Sequence, residues 1–533
     1  LLALIGRYNI GRYNIGRYNI VAHSDMANST KSRWAERLKL PHKAIALRRW
    51  LTRSLATRQR ISTRTKLLVA FSLFVVSYVT KSLHAVDFAP KMYTMEQDFG
   101  GLTETYDARA RLITEGKGLL GPYDVSPRNT VWIAQAPAYS IFLSAVYSLF
   151  GRDFFKVQVV QNGVNSLSPI LIFLIAGTIV SWRVGAVAGF LAALSHHLSY
   201  ISNFILPDSL SPLPLLAAIY LLVLERARSR YSYLLYAGAG LMIGLSAWVR
   251  SQTMLFGLFL IVMLTIIYGR RMAIIKRAAV LAAVSLLAIA PVTIKNYIVY
   301  GEFVPVNIGM GIVLWEGIGE TGRGKEFGAV ARDEEVAAQD AEIYGKPRYA
   351  GSWSTPDGIM RDRDRVKRSL GIIVRHPVWY SGVMLRRMAG TLKYSAHAPL
   401  VYRNSEVNPY ERTGEVRRAW EPLVTDGASS LKVGESFSWS RPGVRALQRV
   451  TKETMLAFVI LGALMMLIAS RRRSLFLLML PIYYWLFQCF MHTEFRYTLP
   501  MHYFLFVFAA VVWVLLGVGL LNGLRRILKP TSR

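Results

Sequence analysis

The chain has 533 residues, 53% of them hydrophobic, and a formal net charge of +32. Its apolar residues gather in runs of about 17–25, the length that crosses roughly 30 Å of hydrocarbon as a helix, which excludes an ordinary soluble protein. The positive excess sits in residues 31–66 and in short loops beside apolar runs, a positive-inside pattern. No recognition motif accompanies it, so nucleic acid is not the partner that the charge implies.

The first residues carry GRYNI three times in tandem, from Gly6 to Ile20. Five residues are too few for a solenoid unit. Residues 1–25 are read as translated upstream sequence or a repeat expansion and are left out of the fold. Residues 1–64 form a basic cytoplasmic arm. Span 1, Thr65–His84, leads outward to a polar loop over 87–133. Span 2, Ala136–Phe150, returns to an inner Gly151-Arg152-Asp153, and span 3 is Val157–Ser181.

Residues 184–207 read as two short crossings or a re-entrant hairpin, because His196-His197 interrupts a short apolar run. Parity puts those histidines on the inner side. Four spans follow: Ser209–Leu224, Leu234–Val249, Met254–Ile267 and Ala278–Tyr297. They complete a transmembrane module over 65–300. A large outer loop or subdomain covers 301–450. Within it, Ile372–Leu392 has apolar residues at helical spacing (Val374, Val378, Met384, Met388), a pattern suited to a membrane interface. The run Arg361–Arg368 reads as a solvated helix face. Residues 451–524 hold three more spans, Thr454–Ala469, Leu475–Phe490 and Leu499–Leu521, before a basic cytoplasmic tail at 525–533. The expected fold is an all-α polytopic membrane protein with about 12 transmembrane helices and helices in the outer loops. The single cysteine, Cys489, excludes an intrachain disulfide.

Polar residues at span ends map to one side. They are Asp98, Glu104, Asp107 and Arg109 from the first outer loop, then Asp208, Arg250, Lys295 and Asn296, and finally His492, Glu494, Arg496 and Tyr497. Ionisable groups near membrane depth are costly and usually face a cavity or a partner, although helix-end snorkelling accounts for single lysines and arginines. A carboxylate can take a proton from an attacking hydroxyl. Arginine and lysine can neutralise a departing phosphate. The set therefore suits transfer from a phosphate-activated donor, and a donor on a lipid carrier explains the membrane location.

Four segments carry a family resemblance. They are Glu104-Thr-Tyr-Asp-Ala-Arg-Ala-Arg-Leu-Ile-Thr-Glu-Gly-Lys-Gly; Ala136-Pro-Ala-Tyr with its Phe150-Gly151 exit; Lys295-Asn296-Tyr297 followed by Gly301 and Phe303-Val304-Pro305; and Glu494-Phe-Arg-Tyr-Thr-Leu-Pro500. Their order and topology resemble the GT-C glycosyltransferases that use polyprenyl-phosphate sugars, the group related to protein O-mannosyltransferases and aminoarabinose transferases. The resemblance implies an inverting transfer of one sugar from a polyprenyl-phosphate carrier to a lipid, glycan or protein acceptor, in a bacterial inner membrane with the site facing the periplasm or exterior. It implies a first-loop acid as base. Most members place an aspartate three or four residues before the tyrosine, where this chain has Thr103 and Leu102. Glu104 is the first choice, with Asp98 and Asp107 open. Arg250, Lys295 and Arg496 are the donor-phosphate candidates. Asp208, His492, Glu494 and Tyr497 are candidates for the acceptor or a second acid. Asp208 is equally suited to orient an acceptor, bind a divalent ion or cap a helix. No cofactor is required, and a divalent metal stays open. The rival reading is a transporter or flippase of lipid-linked sugars.

Overall fold

The computed structural model describes residues 42–55, 61–88, 102–225, 231–392 and 440–527. It divides into two compact units, 1–53 and 54–533. The described part of the first is a helix, α1 (His42–Leu55), which carries Lys43, Arg48 and Arg49 and ends just past the boundary. In the second unit all regular structure among the described residues is helical. Seven helical segments among the described residues are long and apolar enough to cross a membrane: 63–85, 154–179, 207–225, 232–249, 251–268, 272–300 and 496–521. The protein is an integral membrane protein of the all-α polytopic class.

The helices of the second unit begin with α2 (Thr63–Phe88), α3 (Leu102–Thr114) and α4 (Ala138–Phe150). The expected second span corresponds to α4 and is not a crossing. It has only 13 residues. At roughly 1.5 Å per residue it extends about 20 Å, too short for the hydrocarbon layer. Its buried side chains lie against α3: Ser140 Oγ donates to the Tyr106 carbonyl at 3.2 Å and Tyr147 Oη to Asp107 at 2.8 Å. Arg152, just past α4, holds Asp107 through two bonds of 2.9 Å. Arg152 therefore lies on the same face as the first loop, not the opposite one.

The next crossing is α5 (Phe154–Asn165) continued by α6 (Ser168–Ile179). The Asp153 carboxylate caps α5 by accepting from the amides of Phe155 and Lys156. The chain then retraces this path through α7 (Trp182–Ala193) and α8 (His196–Ile201). Gly185 sits so close to the Phe173 carbonyl and Gly177 that a side chain would not fit. Farther along, Gln158 Nε2 donates to the Asn203 carbonyl at 2.7 Å, and Gln161 Nε2 to those of Ser202 and Phe204 at 2.8 and 2.9 Å. Residues 182–204 thus make one antiparallel pass, where two short crossings or a re-entrant hairpin were expected. Non-helical backbone at this depth needs internal partners; Gln158 and Gln161 supply them, while Asn162 and Asn165, on the same stripe, donate to the Asn203 and Ser202 side chains. The two departures cancel in parity, so Asp208 keeps its expected side, and His197 moves to the side of Asp208. Among the described residues the count of passes falls from twelve to ten.

The remaining passes are α9 (Pro212–Glu225), α10 (Ser232–Val249), α11 (Phe256–Tyr268) and α12 (Met272–Tyr300). Helix α12 stops at Gly301, which sits in the left-handed region at φ 68°, the conformation that glycine supplies at helix ends. Four helices follow: α13 (Met310–Gly319), α14 (Asp333–Tyr344), α15 (Gly358–Arg375) and α16 (Pro377–Leu392). They enclose Ile312, Leu314, Trp315, Ile318, Val336, Tyr380 and Val383. Here the expected solvated run is buried in part. Arg361 and Arg365 are fully enclosed and both grip Asp340, Arg361 at 3.1 Å, while Asp362 accepts from the first amides of α13. The bundle closes with α17 (Ser440–Ala469), α18 (Arg471–Phe487) and α19 (Leu499–Ile527).

Candidate functional site

The span ends that carry residues 301–392 define one face, called the domain face below. Asp208 opens α9 from a one-turn 3-10 helix, and Arg250 ends α10. The Arg250 guanidinium binds Oδ1 of the buried Asp208. No donor among the described residues reaches the other oxygen, Oδ2. Arg250 also lies 4.6 Å from the centre of the Tyr497 ring, which carries Arg496 at 5.0 Å. Arg496 donates to both oxygens of Glu494, at 2.5 and 3.1 Å. Gln252 fixes this turn by donating to the Tyr497 carbonyl at 2.8 Å.

The charge chain continues into the domain. Glu494 Oε1 lies 3.3 Å from His492 Nε2, and His492 Nδ1 faces Glu320 at the end of α13. Glu320 in turn lies 3.6 Å from Arg387 of α16. Burial alone would favour a neutral imidazole, yet Glu320 and Glu494 together hold the His492 pKa well above its ordinary value. Burial would raise the Glu494 carboxyl, but Arg496 and His492 hold it well below the usual range. Every carboxylate oxygen of Glu494 is occupied, by Arg496, His492 and Tyr497.

A second group faces the first. Tyr106 of α3 packs edge-on against Tyr139, and its hydroxyl has no partner among the described residues. Burial pushes its pKa up to about 12, with Asp208 adding to the rise and Arg250, Arg109 and Arg496 opposing it. The fields of all four charges therefore reach this phenol. Arg109, one turn on, is 2% exposed and spends one nitrogen on the Gln135 carbonyl at 3.0 Å. Its Nε and Nη2 are buried without a partner, as are Lys295 Nζ and Tyr300 Oη. Burial lowers the Arg109 pKa to about 10, still protonated at neutral pH. Arg109 and Lys295 are near enough for their charges to repel, and the Lys295 ammonium lies 5.6 Å from the Tyr300 ring centre. Burying a charge without its counter-ion costs several kcal/mol. Two such cations side by side make a seat for an anion.

The structure thus brings together Asp208, Arg250, His492, Glu494, Arg496 and Tyr497, and sets Lys295 beside Arg109 near them. Glu104 does not join them. It is exposed on the side of α3 away from Tyr106 and Arg109, while its neighbour Thr103 is buried. Asp107 is buried but saturated by Tyr147, Arg152 and Arg111. Asp98 lies outside the described residues. Tyr106, Glu320 and Arg387 were not singled out from sequence. Glu320 and Arg387 lacked any local signal, since their partners lie far along the chain. Among the described residues no three His, Cys, Asp or Glu side chains gather as a metal-ligand set.

Residues 134–294, which include Asp208 and Arg250, match the family model described as dolichyl-phosphate-mannose-protein mannosyltransferase. That match covers less than a third of the chain. No curated protein matches it. Among solved structures, the chain is similar to the archaeal oligosaccharyltransferase AglB from Archaeoglobus fulgidus, in complex with an inhibitory peptide and a dolichol-phosphate. The TM-score is 0.44 and the identity 12%, over 87% of this chain and 52% of that one. The chain therefore spans about half the length of that protein.

Proposed function

We propose that the protein transfers one sugar from a polyprenyl-phosphate carrier to a hydroxyl acceptor on the domain face, by a single inverting displacement. One observation carries this reading. A carboxylate with one free oxygen, Asp208 Oδ2, and the buried Arg109 both act on the Tyr106 phenol, and beside Arg109 lies Lys295, a second buried cation without a counter-anion. The acceptor oxygen attacks the anomeric carbon and the bond from that carbon to the phosphate oxygen breaks. The electron pair leaves with the phosphate, whose growing charge Arg109 and Lys295 stabilise. The acceptor proton passes to Asp208 Oδ2. Arg250 and Arg496, offered by the sequence as phosphate ligands, are already neutralised by Asp208 and Glu494, so they take the role of positioning residues. Asp208 takes the place that the sequence reading gave to Glu104. A bacterial inner membrane, with the domain face on the periplasm, is part of the same proposal and is supported by the basic residues of α1 and the positive-inside pattern. A flippase would need its ionisable groups at mid-depth, whereas the free carboxylate here sits at a span end.

The test uses the full chain in nanodiscs with radiolabelled polyprenyl-phosphate sugars and a mixed lipid, glycan and peptide acceptor pool. Release of the carrier phosphate coupled to a labelled acceptor supports the proposal. Movement of the intact carrier-linked sugar across proteoliposomes without bond cleavage would replace it with the flippase.

A further inference from the structure

Helix α16 buries one stripe and leaves another bare. Tyr380, Val383, Arg387 and Thr391 face inward, at spacings of three and four residues. Val378 and Leu385, seven residues apart on the other side, are 86% and 65% exposed. Val374, at the end of α15, extends this bare stripe at 75% exposure. Exposed Arg375 and Arg386 flank it. A monomeric protein rarely leaves such aliphatic side chains aligned in water.

The position of α16 indicates what covers them. Trp485 of α18 donates its indole N–H to Thr391 at 3.1 Å. Tyr380, at the other end of α16, donates to the Phe490 carbonyl at 2.6 Å. Both tethers thus lie within six residues of the end of one transmembrane helix. The depth of that end is set by α11, whose first turns hold Phe256 and Phe259 against Tyr483 and Phe487, with ring centres 5.0 and 6.3 Å apart. Residues 251–268 form a candidate span, so Trp485 stands at the span's end on the domain face. Leu486 beside it is 48% exposed, on a surface that spans turn to lipid.

We infer that α16 lies in the bilayer surface on the domain face, with Val378 and Leu385 inserted at the boundary between head groups and acyl chains. An amphipathic helix held this way sinks its apolar side about 5–10 Å into that boundary. Arg375 and Arg386 then reach the lipid phosphates. The buried side of the same helix carries Arg387, which grips the Gly317 carbonyl and faces Glu320. Lipid on one side and the site's charge chain on the other therefore meet in a single rigid element.

The test attaches an environment-sensitive fluorophore at Val378→Cys, Leu385→Cys and, as a water-facing reference, the exposed Glu334→Cys. Cys489 is the sole native cysteine and is buried, so the parent protein labelled in its folded state supplies the blank. In nanodiscs, doxyl-labelled phospholipid is expected to quench positions 378 and 385 several-fold more strongly than 334, and aqueous iodide to do the reverse. Equal iodide quenching at all three positions would overturn the inference. So would protection of 378 and 385 from both quenchers, since that result means a protein segment covers the stripe.

Discussion

Arg250 holds one oxygen of Asp208 and leaves the other free, although the two residues are 42 positions apart in the chain. Asp107, a first-loop candidate for the base, and Glu494, a candidate second acid, have both oxygens taken. An acceptor proton needs a vacant lone pair, and on that ground Asp208 is the proposed base. Asp208→Asn is expected to lower kcat by about 10²–10⁴-fold, the usual contribution of a positioned base. Glu104→Gln should stay close to the parent. Single-turnover transfer with matched protein folding measures both, and equal losses in the two variants would return the role to the first loop.

Arg109 and Lys295 should control affinity for the carrier phosphate. A hydrogen bond to a charged group contributes about 1.5–3 kcal/mol, or roughly 10–100-fold. Lys295→Gln is therefore expected to weaken inhibition by free polyprenyl phosphate by about that factor. Arg250→Lys should change it less, because Asp208 already neutralises that guanidinium. Competition by unlabelled polyprenyl phosphate against labelled donor separates the two; an equal effect in both variants would mean that the seat is shared.

Much of this architecture is visible in the linear chain, and the exceptions share a cause. Apolar length alone places the passes, because hydrocarbon thickness fixes how many residues a helix needs. Charges at span ends collect on one side for the same reason, so Asp208, Arg250 and Arg496 were legible as a set. Their pairing was not, since it depends on which residues meet across tens to hundreds of positions. Arg152 reaches Asp107 across 45 positions, and Asp340 binds both Arg361 and Arg365 from 21 and 25 away. Helix α4 misleads because it buries its apolar side chains against α3, and composition does not distinguish that contact from lipid. The amide stripe from Gln158 to Asn165 was a readable signal. Four amides on one side of a transmembrane helix call for polar groups beside them, and the backbone and side chains of residues 202–204 supply them.

The clamp on Asp107 gives a stability effect separate from chemistry. Asp107 is buried, but the Arg152 side chain is 56% exposed, and solvent screening discounts such a pair. Asp107→Asn keeps the shape and removes the charge that Arg152 and Arg111 hold. A loss of about 2 kcal/mol is expected, seen as a lower thermal midpoint with unchanged activity per folded molecule. Loss of activity at full stability would mean that Asp107 takes part in the reaction.

His492 makes stability depend on pH in a direction that its partners fix. It stands between Glu320 and Glu494. Its pKa is held well above the ordinary value of about 6.5 despite burial. A group whose folded pKa is raised adds stability that is complete below its unfolded pKa and fades as pH climbs through the folded one. Glu494 has the opposite sign, since Arg496 and His492 hold its pKa down. Its contribution is complete above about 4.3 and fades as the solution becomes more acidic than that. Both contributions coexist between these limits. The thermal midpoint should therefore be level from about pH 5 to 6.5 and decline on the alkaline side. In His492→Gln the imidazolium is gone, so the alkaline decline should flatten while the acid limb remains. A parent and variant with identical alkaline slopes would place the titrating group elsewhere and leave the Glu320–His492–Glu494 chain as uncharged packing.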